Sequence, residues 1–451
     1  MLPYVLLVPL VLQAPDREPG SPSASAVALA VVAPAAWEAA LQPFLEQRRR
    51  ELTAVFLPLE DAVATGAGDA PERLKRRLHA LWQESGLRYA LLVGDADTLP
   101  VRFMVLDRNT EAAHNYAFYA SDLYYADLAR EGGGFEDWNG ARDGCSARYY
   151  GEVRGEHFKD SPINYDGISY VPEIGVGRWP VSDVESLQTV IAKTLAWPGS
   201  GARVETLVAA HGDGWVDARA ALAAWIEPFP ALGWTVDRQF YGERDGVPST
   251  ASVMAGIRQG ATLVLHAGHG DAGGWDRCLG ADQELELAAC QPAVFFSVGC
   301  GTAHFCAEAP YQAYLDADGV PHRGTTAGEV FLEPPPAPAP LQPGRFNSTS
   351  LGERLLRMPA GGAVAYIGCN TGAQPCALSL MQGFLQHAGQ HPDARVGDAW
   401  QAALAFYYDA ERLATLQPDA GWYPPSIFFQ GMKFMLFGDP TLPLAAAPGR
   451  E

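Results

Sequence analysis

Two apolar stretches of this chain each stop at a reactive residue followed by glycine. Ala261-Thr-Leu-Val-Leu-His-Ala-Gly runs into His269-Gly270, and Pro292-Ala-Val-Phe-Phe-Ser-Val-Gly runs into Cys300-Gly301. Short apolar runs bounded by glycine and proline read as buried strands. The reactive residues lie 31 positions apart, room for one crossover, so the strands can be parallel neighbours with both reactive ends at one edge. Ligands of an open parallel sheet bind beyond the carboxyl ends of its strands. A thiol and an imidazole there form a nucleophile with its proton-transfer partner.

The rest of the chain repeats the strand-helix alternation of a doubly wound α/β protein. Strands are expected at 26–32, 53–58 and 89–95, with amphipathic helices at 37–50 and 72–84. A strand at 173–178 and a helix at 184–196 complete a first unit, 27–197. Pro198-Gly-Ser-Gly-Ala reads as a linker. A second unit, 203–447, carries strands near 205–210, 234–240, the two reactive strands and 363–369, and its apolar run 432–437 leads into the Gly438-Asp-Pro-Thr turn. Helices are expected at 216–225, 253–259 and 377–387. Residues 107–170, rich in Gly, Asp, Asn and Tyr, read as an irregular substrate-side or ion-binding insertion, and 331–344 as a proline-rich surface excursion.

The 451 residues carry a formal charge of −20, which disfavours nucleic acid and anionic membranes as partners. Leu2 to Leu12 is apolar but too short to span a bilayer. With 1–26 as a lead-in, it reads either as a signal-peptide core, sending the chain outside the cell or to the envelope, or as a buried edge strand. The seven cysteines lack paired zinc-ribbon spacing.

Glycine after each reactive residue permits a tight turn and leaves the backbone N–H accessible. The amides of Gly270 and Cys300 are candidates for an oxyanion hole, each such donor being worth about 2.7–4 kcal/mol in a transition state. A metal-dependent hydrolase is a rival reading, with His266, His269, Cys300 and His304 as ligands of types that suit zinc. A catalytically silent binding or assembly module is another.

Six ordered blocks resemble the gingipain-like cysteine peptidases, family C25, which group with caspases and legumains. They are YALLVGDADTLPVRF (89–103), ASDLYYADL (120–128), PEIGVGRWPVSDVESLQTVIAKTLAW (172–197), LHAGHGDAGGW (265–275), FFSVGCGTAHF (295–305) and LFGDPTLPL (436–444). The resemblance implies two caspase-like α/β subdomains side by side, catalysis in the second, and a peptide or protein substrate. Carried over by position, Cys300 is the nucleophile, His269 the general acid/base, and Glu173 the acid that orients the histidine. The first substrate pocket of familiar members holds a carboxylate, and the match puts Glu185 or Ser186 there. No cofactor is needed for the chemistry; a structural calcium is implied, with the Asp and Asn clusters of 107–165 as its source. Departures are Gly299 in place of a small residue, often alanine, and the expected lack of a long prodomain and of a trailing immunoglobulin-like domain.

Overall fold

The computed structural model describes residues 27–105, 118–138, 168–197, 206–325, 335–344, 349–417 and 423–444. The apolar N-terminal run, the linker at 198–202, Cys145 and most of the 107–165 insertion lie outside them.

One ten-stranded sheet organises the chain. Its order is Ala54–Pro58, Leu29–Ala33, Tyr89–Val93, Gly175–Trp179, Phe434–Gly438, Ala363–Cys369, Ala293–Val298, Leu263–Ala267, Thr206–His211 and Thr235–Phe240. The first five strands are mutually parallel, and so are the last five. The two sets meet antiparallel, Phe434–Gly438 against Ala363–Cys369. The carboxyl ends of the second set therefore share an edge with the amino ends of the first. The last strand belongs to the second unit in sequence, yet Phe437 pairs with Arg178 of the first. The boundary near residue 200 divides the chain but not the sheet.

Both faces of the sheet are covered, as parallel strands require. Alternate residues feed two cores: Ala30, Val32, Leu265 and Phe296 on one side, Leu29, Val31, Val264 and Phe295 on the other. Ala70–Ser85 starts on the Asp69 cap and stops at Gly86, whose φ is 70°, the left-handed stop that glycine allows. Val184–Ala196 is capped by Asp183. Besides three short helices of four or five residues, three longer ones have no counterpart in the sequence reading: Leu351–Arg357, Val396–Ala410 and Tyr423–Lys433. The first has a legible signal, a Ser350-x-x-Glu353 capping box. The second buries Trp400, Ala403, Leu404 and Tyr407 along one stripe. No helix among the described residues is long and apolar enough to cross a membrane.

Buried ion pairs tie the elements together. Arg178 grips Asp122 through two bonds of 2.8 and 2.7 Å and also donates to the Gly94 carbonyl. Arg357 joins Asp95 and Glu353, each at 2.8 Å. Arg48 reaches Asp439, which also caps Thr441. Such pairs add little net stability, but breaking one strands a charge in the interior at a cost of about 3–5 kcal/mol.

Candidate active site

The two reactive strands are adjacent and parallel, and their last register pair is Val298 with Ala267. His269 and Cys300 thus stand two residues beyond the same level of the sheet. The two turns touch: a Cβ on Gly270 would lie 3.3 Å from the Gly299 Cα and 2.9 Å from the Thr302 Cγ2. Gly301 has φ +63° and its N–H donates to the Thr371 carbonyl at 2.6 Å. Glycine at these positions therefore lets the histidine and cysteine backbones close on each other. Beyond His269 the chain forms a three-stranded hairpin sheet of two-residue strands, Gly270–Asp271, Gly274–Trp275 and Leu279–Gly280.

His269 is exposed, and its Nε2 lies 2.9 Å from the Gly214 carbonyl. That acceptor puts the ring proton on Nε2 and makes Nδ1 the nitrogen available to a thiol. Cys300 is half-buried. Its Sγ receives the Ala373 N–H at 3.3 Å and lies 3.6 Å from the Ala373 carbonyl. An N–H aimed at sulfur strengthens when the sulfur carries charge. Cys278, Cys290, Cys300, Cys306 and Cys369 are free thiols. Burial pushes the thiol of Cys278 up to about 11 and that of Cys369 up to about 12, and raises Cys290 and Cys306 as well, which makes those four poor nucleophiles.

The four residues of the zinc reading do not converge. His266 is buried and stacked on Trp275, with ring centroids 4.5 Å apart, and its Nδ1 meets the Ser297 hydroxyl at 2.9 Å. Burial pushes it down to about 3, so it stays neutral. His304 is committed to the Cys306 carbonyl and is pushed down to about 4. Among the described residues no three His, Cys, Asp or Glu side chains are grouped to hold a metal ion.

Two further expectations need correction. Glu173 does reach the reactive edge, at the amino end of Gly175–Trp179. It stands four strands from the histidine strand, about 19 Å at ~4.8 Å per strand. Its Oε2 accepts the Leu128 and Ala129 N–H groups at 2.6 and 3.0 Å. Burial pushes Glu173 up to about 7, against the pull of buried Lys75, and the buried Asp127 carboxyl interacts with it. The side-chain hydrogen bond of His269 goes instead to the Gly214 carbonyl. Glu185 and Ser186 open the helix that follows the carboxyl end of Gly175–Trp179. Because the two halves run antiparallel, that end lies at the edge opposite Cys300. Ser186 is occupied by the Asp183 cap, and neither residue can line a pocket at the thiol.

A groove of about 480 Å³ begins at His269 and is walled by Asp271, Trp275, Asp276, Asp282 and Gln283. This groove, the Gly214 carbonyl and the Ala373 peptide were invisible in the sequence. The last two are backbone groups, and residue identity carries no signal for them.

The model of Peptidase family C25 matches residues 23–445. The fold is similar to the crystal structure of the Arg-specific cysteine proteinase gingipain R (RgpB). The TM-score is 0.60 at 15% identity, covering 93% of this chain and 78% of that one. It is similar to the complex of Porphyromonas gingivalis RgpB pro- and mature domains, with TM-score 0.59, 15% identity, and 93% and 80% covered. A third solved structure, described only as a protease, gives 0.57 at 16% identity over 94% of this chain and 79% of that one. No curated protein matches the chain. With the family pattern spanning almost all of its length, the chain belongs to peptidase family C25 and is a cysteine-type peptidase.

Proposed function

We propose that the enzyme is an endopeptidase that hydrolyses peptide bonds through a Cys300–His269 dyad and a thioester. The single observation that carries this is the pairing of the two strand ends. His269 and Cys300 leave neighbouring strands at one level, and their turns are in van der Waals contact through Gly270 and Gly299. The thiol gives its proton to His269 Nδ1, and the thiolate attacks the peptide carbonyl. The tetrahedral oxyanion is met by the N–H groups of Gly270 and Cys300. The C–N bond breaks as His269 returns the proton to the leaving amine. Water, deprotonated by the same imidazole, then hydrolyses the thioester and frees the thiol. Gly214, holding Nε2, keeps Nδ1 toward the thiol through both half-reactions.

A secreted or envelope location fits a peptidase with an apolar N-terminal run, and detection of the protein in culture medium tests it. The mechanism is tested with a thiol-directed covalent probe followed by peptide mapping. Labelling of Cys300, with hydrolysis of a peptide library lost in parallel, is the expected result. Labelling of another cysteine while Cys300 is spared overturns the assignment. The library's cleavage sites also reveal which side chain the enzyme accepts before the scissile bond.

A further inference from the structure

Ala373 meets the Cys300 sulfur with both of its backbone groups, its N–H at 3.3 Å and its carbonyl at 3.6 Å. The 370–374 segment has no regular structure, so something must hold that peptide in place. Its upstream end is tied to the cysteine turn: Gly301 N–H donates to the Thr371 carbonyl at 2.6 Å and Ala303 N–H to the Cys369 carbonyl at 2.9 Å. Its downstream end is held by one side chain. Gln430, from the Tyr423–Lys433 helix, is fully buried. Its Oε1 accepts the Gln374 N–H at 2.9 Å, and its Nε2 donates to the Gly372 carbonyl at 3.2 Å. The carboxamide thus brackets Ala373, gripping the residue before it by the carbonyl and the residue after it by the amide.

We infer that Gln430 is a positioning residue for the nucleophile, holding the Ala373 peptide against the sulfur of Cys300. This rests on the reading of Cys300 as nucleophile. A carboxamide suits the task because it presents one acceptor and one donor side by side, matching the two backbone groups that flank a residue. The Ala373 peptide can serve both forms of the sulfur: its carbonyl accepts from the thiol, and its N–H donates to the thiolate. A shell that locks a reacting atom within a fraction of an ångström governs turnover more than substrate affinity.

The test is Gln430→Met, which keeps the buried volume and removes both hydrogen bonds, measured in the full chain. The expected result is a kcat lowered about 10- to 100-fold with KM within about threefold. Alkylation of Cys300 by iodoacetamide should slow about tenfold at neutral pH, with activity normalised to the folded fraction. A purely structural role would lower the melting temperature and leave both normalised rates at wild-type values, and that outcome overturns the inference. If Gln430→Met does not fold, Gln430→Glu retains the acceptor for Gln374. Slowed alkylation in that variant supports the inference, and an unchanged rate overturns it. Failure of the underlying reading shows separately in the wild type, as iodoacetamide labelling that spares Cys300.

Discussion

The two halves of the sheet are built from the same alternation of strand and helix, but their strand ends are filled differently. In the first half, the carboxyl ends at Gly94-Asp95 and Arg178-Trp179 hold buried charges. Asp95 pairs with Arg357 and Arg178 with Asp122, and all but Arg357 are nearly or fully buried. In the second half, the corresponding ends carry His269, exposed, and Cys300, half-buried, with glycines around them. Parallel strand ends gather side chains and free backbone N–H groups at one edge. Filled with paired charges, such an edge becomes cement between elements. Lined with glycine, it leaves room for a substrate carbonyl and the donors that will face it. The antiparallel junction then puts the amino ends of the first half, with Lys75, Asp127 and Glu173, along the reactive edge.

The contrast predicts that mutations on the reactive side cost activity and those in the paired-charge network cost stability. Replacing Cys300 with Ala should reduce peptide hydrolysis by at least about 10³-fold, and His269→Ala by about 10²- to 10⁴-fold. The melting temperature should stay within about 2 °C in both. Residual hydrolysis within tenfold of wild type in either variant would break the comparison at its strongest point. In the first half, Asp122→Ala leaves buried Arg178 without its carboxylate and should cost about 3–5 kcal/mol in urea unfolding. Its kcat per folded molecule should be retained; loss of turnover in fully folded protein would mean that the two edges are coupled.

Gly270→Ala probes the contact between the turns. The new methyl would meet the Thr302 Cγ2 at 2.9 Å and the Gly274 carbonyl oxygen at 3.1 Å, pushing the histidine turn off the cysteine turn. A fall in kcat of about tenfold is expected, and an unchanged kcat would show that the close approach is dispensable. Glu173→Gln tests whether that carboxyl acts on stability. Its value is raised from 4.5 to about 7 by burial, so the folded state favours the protonated form. Stability from this group is fully present below pH 4.5 and is lost as pH rises through 7. The wild type should lose on the order of 1–3 kcal/mol across that window, and Glu173→Gln should lose measurably less in urea titrations at pH 4.5 and 8. The smallest effects belong to Glu185→Gln and Ser186→Ala, whose kcat/KM should stay within about twofold on substrates cleaved after Arg, Lys or apolar residues. A selective loss after Arg or Lys would reverse the placement of these residues outside the pocket.

Much was legible before folding because it is local. Nine of the ten sheet strands are legible to within a few residues, since an apolar run stopped by glycine or a turn is a short-range signal, and the tenth, Phe434–Gly438, reads only as an apolar run before a turn. The reactive pair was legible for the same reason: His269 and Cys300 each terminate such a run. The helices 351–357, 396–410 and 423–433 were missed although Ser350-x-x-Glu353 and the Trp400–Tyr407 stripe announce two of them. The places of Glu173, Glu185 and Ser186 in the sheet are not legible in the sequence. A family match aligns residues along the chain, whereas proximity in a sheet depends on strand order and direction.

The sequence by itself determined the element types, the two reactive strand ends and the glycines that let them meet, because these follow from residue identity over a few positions. Only the tertiary structure decided that the halves run antiparallel, which sends Glu185 and Ser186 to the far edge. It alone decided that a carbonyl, at Gly214, holds His269, and that the Ala373 peptide, clamped by Gln430, faces Cys300. These are contacts of 55, 73 and 56 to 58 residues' separation made by or through backbone groups. Every residue carries the same carbonyl and, proline aside, the same N–H, so side-chain chemistry along the chain gives no sign of which of them the fold will bring to the site.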